Sequence, residues 1–389
     1  MGVRNMKVLF IMHNCDLRSG ATAAMMEVIR KLPSSIETMV LFPSYKGSAV
    51  EFCKTEHIPF VSIPYWSLLL SQNDTRIRKI AKYVQMIVRK FLMAINVVRA
   101  KTIIRNIDLI YTNTSTIKFG MMLSKYYRIP HIWHIREHCD LDHGLKFPFG
   151  KKLYYRVPQG KNVIVVISES LKAALRQYIG KNSIKVIYDD VDEKYINPVE
   201  KFKHCNDETI EILIAGDIKK GKGQFEVVKA IGILISRGRK NIHLNIAGKT
   251  SDPNYKIEME KYIRSHKMEE YVSFLGVVSD MNKLRLSMDI GIIASVSEAF
   301  GRVTVEGMLS KMAMIGRNSG ATPELIKDEG MGLLYNGSFD DLADKIEMLL
   351  DDEKRQQIAR KGFDEAVNEF ARGRTANEVY ELIIDMKRE

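Results

Sequence analysis

Apolar and polar positions divide the chain into short, regularly spaced runs. Met6–Met12, Asp108–Thr112, Asn162–Ser168 and Asp289–Ala294 are almost continuously apolar, the pattern of strands buried on both faces of a parallel sheet. Shorter runs of the same kind predict strands over Thr38–Phe42, Phe60–Ile63, Ile129–His138, Ile184–Tyr188, Ile210–Gly216, Leu244–Gly248 and Val272–Gly276. Between them the spacing turns helical, over about Ala21–Leu32, over Glu169–Tyr178 behind the capping residue Ser168, and from Gln224. Phe339–Leu350, Asp352–Phe370 and Arg374–Lys387 are predicted helices that close the chain. Strands alternating with helices give an α/β protein with parallel sheets.

At 389 residues the chain is long enough for two domains with full cores. The polar stretch around Pro198, residues 191–207, reads as the linker between them. No run of eighteen apolar residues exists, so no spanning helix is expected, and Met6–Met12 reads as a strand rather than a leader. Cys15, Cys53, Cys139 and Cys205 show no C-x-x-C spacing and read as reduced thiols of a cytoplasmic chain.

Charge is unevenly distributed. Residues 1–200 carry 30 Lys and Arg against 16 Asp and Glu, whereas residues 201–389 carry 29 against 31. A basic half attracts an anionic partner. The densest part is 75–105, where nine basic residues occur without one acid. Ile80, Val84, Ile87, Val88, Phe91, Leu92, Ile95 and Val98 are interleaved at helical spacing. Two readings fit: a helix on an anionic membrane surface, which would make the protein peripheral on the inner face, or a helix whose apolar stripe packs into its own sheet. Nucleic acid is disfavoured, because no zinc, homeodomain or RNA-binding pattern is present.

The stretch richest in chemistry is Ser295–Glu306, S-V-S-E-A-F-G-R-V-T-V-E. It follows the apolar run Asp289–Ala294 and opens a helix, so it sits at the carboxyl end of a strand, where open α/β sheets bind ligands. Phe300, Gly301 and Arg302 bring backbone N–H groups to a helix N-terminus that can hold phosphate, and Gly301 allows close approach. Glu298 in the loop and Glu306 on the helix flank that cradle. Together these are the parts needed to hold a nucleoside-diphosphate sugar.

With the following Asn318-Ser-Gly-Ala-Thr-Pro-Glu324 and Gly330–Tyr335, this run resembles the E-F-G-x-x-x-x-E region of the retaining glycosyltransferases of family 4, which have the GT-B fold. The match is specific over 210–350. The resemblance implies two facing Rossmann-like domains with the active site in the cleft between them: an acceptor-side domain over 1–190, a nucleotide-sugar domain over 208–372 and a last helix, 373–389, crossing back to the first domain. It implies that Glu298 binds donor sugar hydroxyls, Glu306 the ribose, Lys222 the diphosphate and the backbone of Val277 and Val278 the base. Ser19 and Gly20 stand where the family's first Gly-rich loop meets a phosphate; a plain tight turn is the other reading. Two positions depart from the pattern. Asp217 replaces the usual diphosphate-binding arginine, leaving Lys219, Lys220 or Arg302 as substitutes. Arg136 stands in place of a family histidine, where it can stabilise charge on the leaving phosphate or the acceptor.

The expected activity is transfer of a sugar, with retention, from a nucleoside-diphosphate donor, a UDP-sugar first, to a saccharide or lipid-linked saccharide in surface polysaccharide or glycolipid synthesis. No cofactor and no metal are expected; Asp140-Leu-Asp142 lacks a second acid cluster. A sugar-nucleotide epimerase or hydrolase, or a non-catalytic sugar-nucleotide-binding subunit, would use the same binding parts.

Overall fold

The computed structural model describes residues 5–71, 76–157, 161–180, 183–197 and 209–388. The linker expected over 191–207 is therefore described only to Asn197, and Cys205 lies outside the described residues. The chain separates into two compact units, Met1–Asp189 with Gly373–Glu389, and Asp190–Arg372.

The first unit is built on Met6–Ile11, an inner strand of a seven-stranded sheet. Ile36–Phe42 and then Phe60–Ser62 lie on one side of it; Leu109–Asn113, His131–Ile135, Asn162–Val166 and Ser183–Val186 follow on the other. All these neighbours pair in parallel. Successive residues of this inner strand serve opposite faces, as the two-residue period requires. Val8 and Phe10 pack with Met25, Tyr111 and Ile383, while Leu9 and Ile11 pack with Met93, Val97, Phe119 and Leu123. The strand expected over 129–138 is confined to His131–Ile135. Pro130 lacks the N–H a ladder needs, and beyond Ile135 the Arg136 and Glu137 side chains turn to partners of their own.

The second unit carries six parallel strands in the order Val272–Gly276, Ile242–Ala247, Ile210–Ala215, Ile290–Ile293, Ala313–Arg317, Leu333–Tyr335. Ile212, Ile214, Leu244, Ile246, Ile290 and Ile292 fill one core with the apolar side of the helix Gln224–Ser236. In both sheets the strand order reverses once, between Met6–Ile11 and Leu109–Asn113 in the first and between Ile210–Ala215 and Ile290–Ile293 in the second. Adjacent strands there send their following chain to opposite faces and open a crevice at their carboxyl ends.

Residues 76–99 form one long helix, Arg76–Arg99. The side it turns to its own sheet carries Met86, Met93 and Val97, with Asn96 Nδ2 donating to the Pro64 carbonyl at 2.8 Å. The stripe legible in the sequence is on the other side: Ile80, Val84, Ile87, Val88, Phe91, Leu92 and Val98 are exposed and Ile95 is half-buried, so most of it does not pack into the sheet.

Candidate functional site

Within the second unit, the two loops that flank the strand-order reversal are Gly216–Gly223, after Ile210–Ala215, and the loop after Ile290–Ile293 that holds Glu298. The first is drawn onto the second by backbone. Gly223 has φ +72°, and a Cβ there would stand 2.3 Å from the Ala294 carbonyl oxygen, so only glycine fits. Val296 N–H donates to the Gly221 carbonyl at 3.2 Å. Between these contacts Lys222 reaches across, and its Nζ meets Glu298 Oε1 at 2.5 Å. Lys222 is 28% and Glu298 19% exposed, so the pair is open to solvent on one side.

Glu298 is fixed from behind. The Ala321 N–H donates to its carbonyl at 3.0 Å, and Gly320, at φ +58°, lies so close that a Cβ would meet the Glu298 N at 2.7 Å. Three residues on, Gly301 takes φ +99° as the cap of the helix Arg302–Leu309, with its carbonyl accepting from the Thr304 N–H at 2.8 Å. Its neighbour Phe300 is buried edge-on against Phe370 at 5.9 Å. Helix N-terminus, lysine and carboxylate thus belong to adjoining loops at the carboxyl ends of two neighbouring strands, an arrangement suited to an anion bearing hydroxyls.

Glu306 sits one turn into that helix and is held by two arginines. Arg285, nearly fully buried on the helix Met281–Leu286, pairs with Oε2; Arg302 Nε lies 3.9 Å from Oε1. Arg302 also donates to the Asp190 carbonyl at 3.0 Å. Sequence reasoning missed Arg285, whose signal was a basic residue set between Leu284 and Leu286 in a short amphipathic stretch. Val277 and Val278 follow the edge strand Val272–Gly276; Val277 is 77% exposed and Val278 half-buried. Asp217 is not idle: it accepts from Ser251 Oγ at 3.2 Å, and its carbonyl takes the Gln224 side-chain N–H at 2.9 Å.

Ser19, Gly20 and Arg136 belong to the first unit. Ser19 caps the helix Gly20–Lys31 without a side-chain hydrogen bond to it, and its Oγ lies 3.2 Å from His13 Nε2. Beside it is an open cavity of about 620 Å³ lined by Asn14, Asp16, Arg18, Lys46 and Ser48 among others. The Arg18 guanidinium, hydrogen-bonded to Asp16, holds that carboxyl down to about 2. Arg136 is only 2% exposed. Its Nη1 pairs with Asp189, its Nε donates to Asn113 Oδ1 at 2.7 Å, and its Nη2 lies 3.3 Å from His134 Nδ1. The partner Asp189 is 53 residues away in sequence. Burial, reinforced by Arg136, keeps His134 well below the usual histidine range and so neutral.

Asp140 pairs with Lys151 at 2.8 Å and Asp142 accepts from the His138 N–H at 2.8 Å. Among the described residues no group of three or more His, Cys, Asp or Glu side chains is placed to hold a metal ion.

Residues 197–365, which contain both loops of the second unit's site, match the family model described as glycosyl transferases group 1. A protein of the cps region of Klebsiella pneumoniae is 29% identical over 214 residues, 52% of this chain and 55% of that protein. The capsular polysaccharide biosynthesis glycosyltransferase CapM of Staphylococcus aureus is 27% identical over 174 residues, 44% of this chain and 45% of its own. The chain thus spans about half the length of the curated relatives it matches. Among solved structures, a glycosyltransferase from Rickettsia africae superposes with a TM-score of 0.78 at 20% identity, over 99% of this chain and all of that one. HepE of Anabaena in complex with UDP superposes with a TM-score of 0.75 at 20% identity, over 98% and 100%. These likenesses show the fold: two Rossmann-like halves of the GT-B type.

Proposed function

We propose that the chain is a retaining group 1 glycosyltransferase that moves a hexosyl unit from a UDP-sugar to a hydroxyl of a saccharide or lipid-linked saccharide, in the assembly of a surface polysaccharide. The observation that carries the reading is the Lys222–Glu298 pair beside the Gly301 helix N-terminus, at the reversal of the strand order. A diphosphate needs cations and N–H donors; a sugar needs a carboxylate that accepts from its hydroxyls; here the two lie side by side. The group 1 match over the same residues and the UDP bound by HepE support the donor class. The setting of CapM in capsule synthesis supports the pathway class.

On donor binding, Lys222 exchanges Glu298 for the diphosphate, and Glu298 turns to the sugar hydroxyls. The acceptor oxygen bonds to the anomeric carbon as the bond from that carbon to the diphosphate breaks. The departing diphosphate takes the acceptor proton on the same face, which gives retention without a carboxylate nucleophile. Lys222 and the N–H groups at Gly301 and Arg302 neutralise the charge that develops on the leaving group, so catalysis is positioning and electrostatic stabilisation. Glu306 holds the ribose hydroxyls, oriented by Arg285 and Arg302, and the backbone at Val277 and Val278 takes the base edge. With no metal in the reading, turnover survives excess chelator.

The test is incubation with UDP-, GDP- and dTDP-sugars, with and without saccharide acceptors, following nucleotide release and the anomeric proton by NMR. Release that needs an acceptor, and a product with the donor's anomeric configuration, is the expected result. Release or isomerisation without acceptor assigns a hydrolase or epimerase; tight binding without turnover assigns a binding subunit.

A further inference from the structure

The exposed side of the helix Arg76–Arg99 is not used by either unit's carboxyl-end chemistry, and it is unusual for a protein surface. Ile80, Val84, Ile87, Val88, Phe91 and Val98 recur at i, i+4, i+7, i+8, i+11 and i+18, one face held over five turns, about 27 Å. Each is more than half exposed, with Ile80 at 68% and Phe91 at 67%. Monomers rarely leave contiguous apolar patches larger than a few hundred Å². The opposite side of the helix is fixed to its own unit through Met86, Met93 and Val97, and the Tyr127 hydroxyl donates to the Val97 carbonyl at 2.8 Å. The bare face is therefore presented rigidly.

We infer that this face docks the protein on an anionic lipid surface. Charge selects the occupant. From 76 to 105 there is no acidic residue, and Lys90, Arg99, Lys101 and Arg105 are exposed. A second copy docked on the same face would bring these like charges together with no acid in the segment to offset them. A protein partner ordinarily contributes about one hydrogen bond per 100–200 Å² of contact. This stripe of Ile, Val and Phe offers no side chain to make one. Anionic headgroups meet the basic flanks, and acyl chains take the aliphatic ridge, with the helix axis in the plane of the interface. Among the described residues no helix is long and apolar enough to cross a membrane. The inference rests on this helix alone, so it stands or falls separately from sugar transfer by the second unit.

The experiment is co-sedimentation of the full chain with vesicles of phosphatidylcholine containing phosphatidylglycerol, and of phosphatidylcholine alone, at low and high salt. Binding to the anionic vesicles that weakens with salt is expected. Lys90→Gln with Arg99→Gln should cut the partition about 25-fold, at roughly fivefold for each charge. Ile87→Glu with Phe91→Glu should abolish binding while leaving the circular dichroism spectrum and thermal midpoint unchanged, since both side chains are exposed. Equal binding to both vesicle types, or to neither, overturns the inference. So does a lipid-free dimer, seen by sedimentation velocity, that the Ile87 and Phe91 changes dissociate, or a soluble acidic protein that competes vesicles off.

Discussion

Glu298→Gln separates the two jobs proposed for the pair at the carboxyl ends of the second unit's middle strands. Gln has nearly the same shape, and the Glu298 backbone is held by Ala321 and Gly320 whatever the side chain, so the loop should not move. In the free protein Glu298 ties down Lys222 at 2.5 Å. Because both side chains are partly open to solvent, that tie is worth about 0.5–1 kcal/mol. Neutralising it should free Lys222 and tighten bare UDP by about two- to fivefold. The sugar contact is lost at the same time. A charge-assisted hydrogen bond contributes about 1.5–3 kcal/mol, so kcat/KM for the UDP-sugar should fall by about 10- to 100-fold. Lys222→Ala acts in the other direction: it removes the cation and leaves the Glu298 carboxylate facing the diphosphate, so UDP should weaken by at least about tenfold. Calorimetry with UDP, beside donor kinetics, reads both effects. Tenfold weaker UDP binding in Glu298→Gln would mean that Glu298 touches the nucleotide, and the division of roles would be wrong.

Three further outcomes are expected. Glu306→Gln leaves the buried Arg285 without its carboxylate and should cost about 3–5 kcal/mol of stability, read as a lower urea midpoint, together with weaker binding of both UDP and donor. Arg136→Met should likewise lose about 3–5 kcal/mol by stranding Asp189; a variant of unchanged stability that no longer turns over would place Arg136 in catalysis instead. Burial lowers His131 to about 3, against about 6.5 when unfolded, so the unfolded chain binds the proton first and stability should fall with pH between about 6.5 and 3. His131→Gln, which keeps a partner for Thr112, should flatten the dependence of the urea midpoint on pH by up to about 1.4 kcal/mol per unit, and an unchanged slope would refute the assignment.

Much of the fold was legible because parallel strands buried on both faces leave apolar runs that few other elements produce. Val272–Gly276 and Asp352–Phe370 were read with both ends right, and Gln224 as a helix start. Ends set by tertiary contacts were not legible, as at His131–Ile135, where side-chain partners stop the strand. The positions of the two site loops followed from the strand–loop–helix pattern. What the loops do to each other did not, since Lys222 and Glu298 are 76 residues apart and nothing local encodes their pairing. The same holds for Arg136 with Asp189 and Arg285 with Glu306. The helix Arg76–Arg99 shows a further limit. A period of 3.6 residues reveals that an apolar stripe exists, but with Met86, Met93 and Val97 on the opposite side it cannot say which stripe goes inward.

The division of the chain has a consequence for the order in which it folds. Ala376, Val379, Leu382, Ile383 and Met386 complete the same core as Met25, Met26 and Ile29 of the helix Gly20–Lys31. On the ribosome, residues 374–388 emerge only after Asp190–Arg372, a delay on the order of ten seconds or more at 5–20 residues per second. Throughout that interval the nascent first unit carries an uncovered apolar helix face. Asp190–Arg372, continuous in sequence, has every strand of its sheet before then. The unit translated first is thus the one that reaches its native state last, and a chain ended at Arg372 should be held by chaperones through the Met25 and Ile29 face while Asp190–Arg372 is already folded.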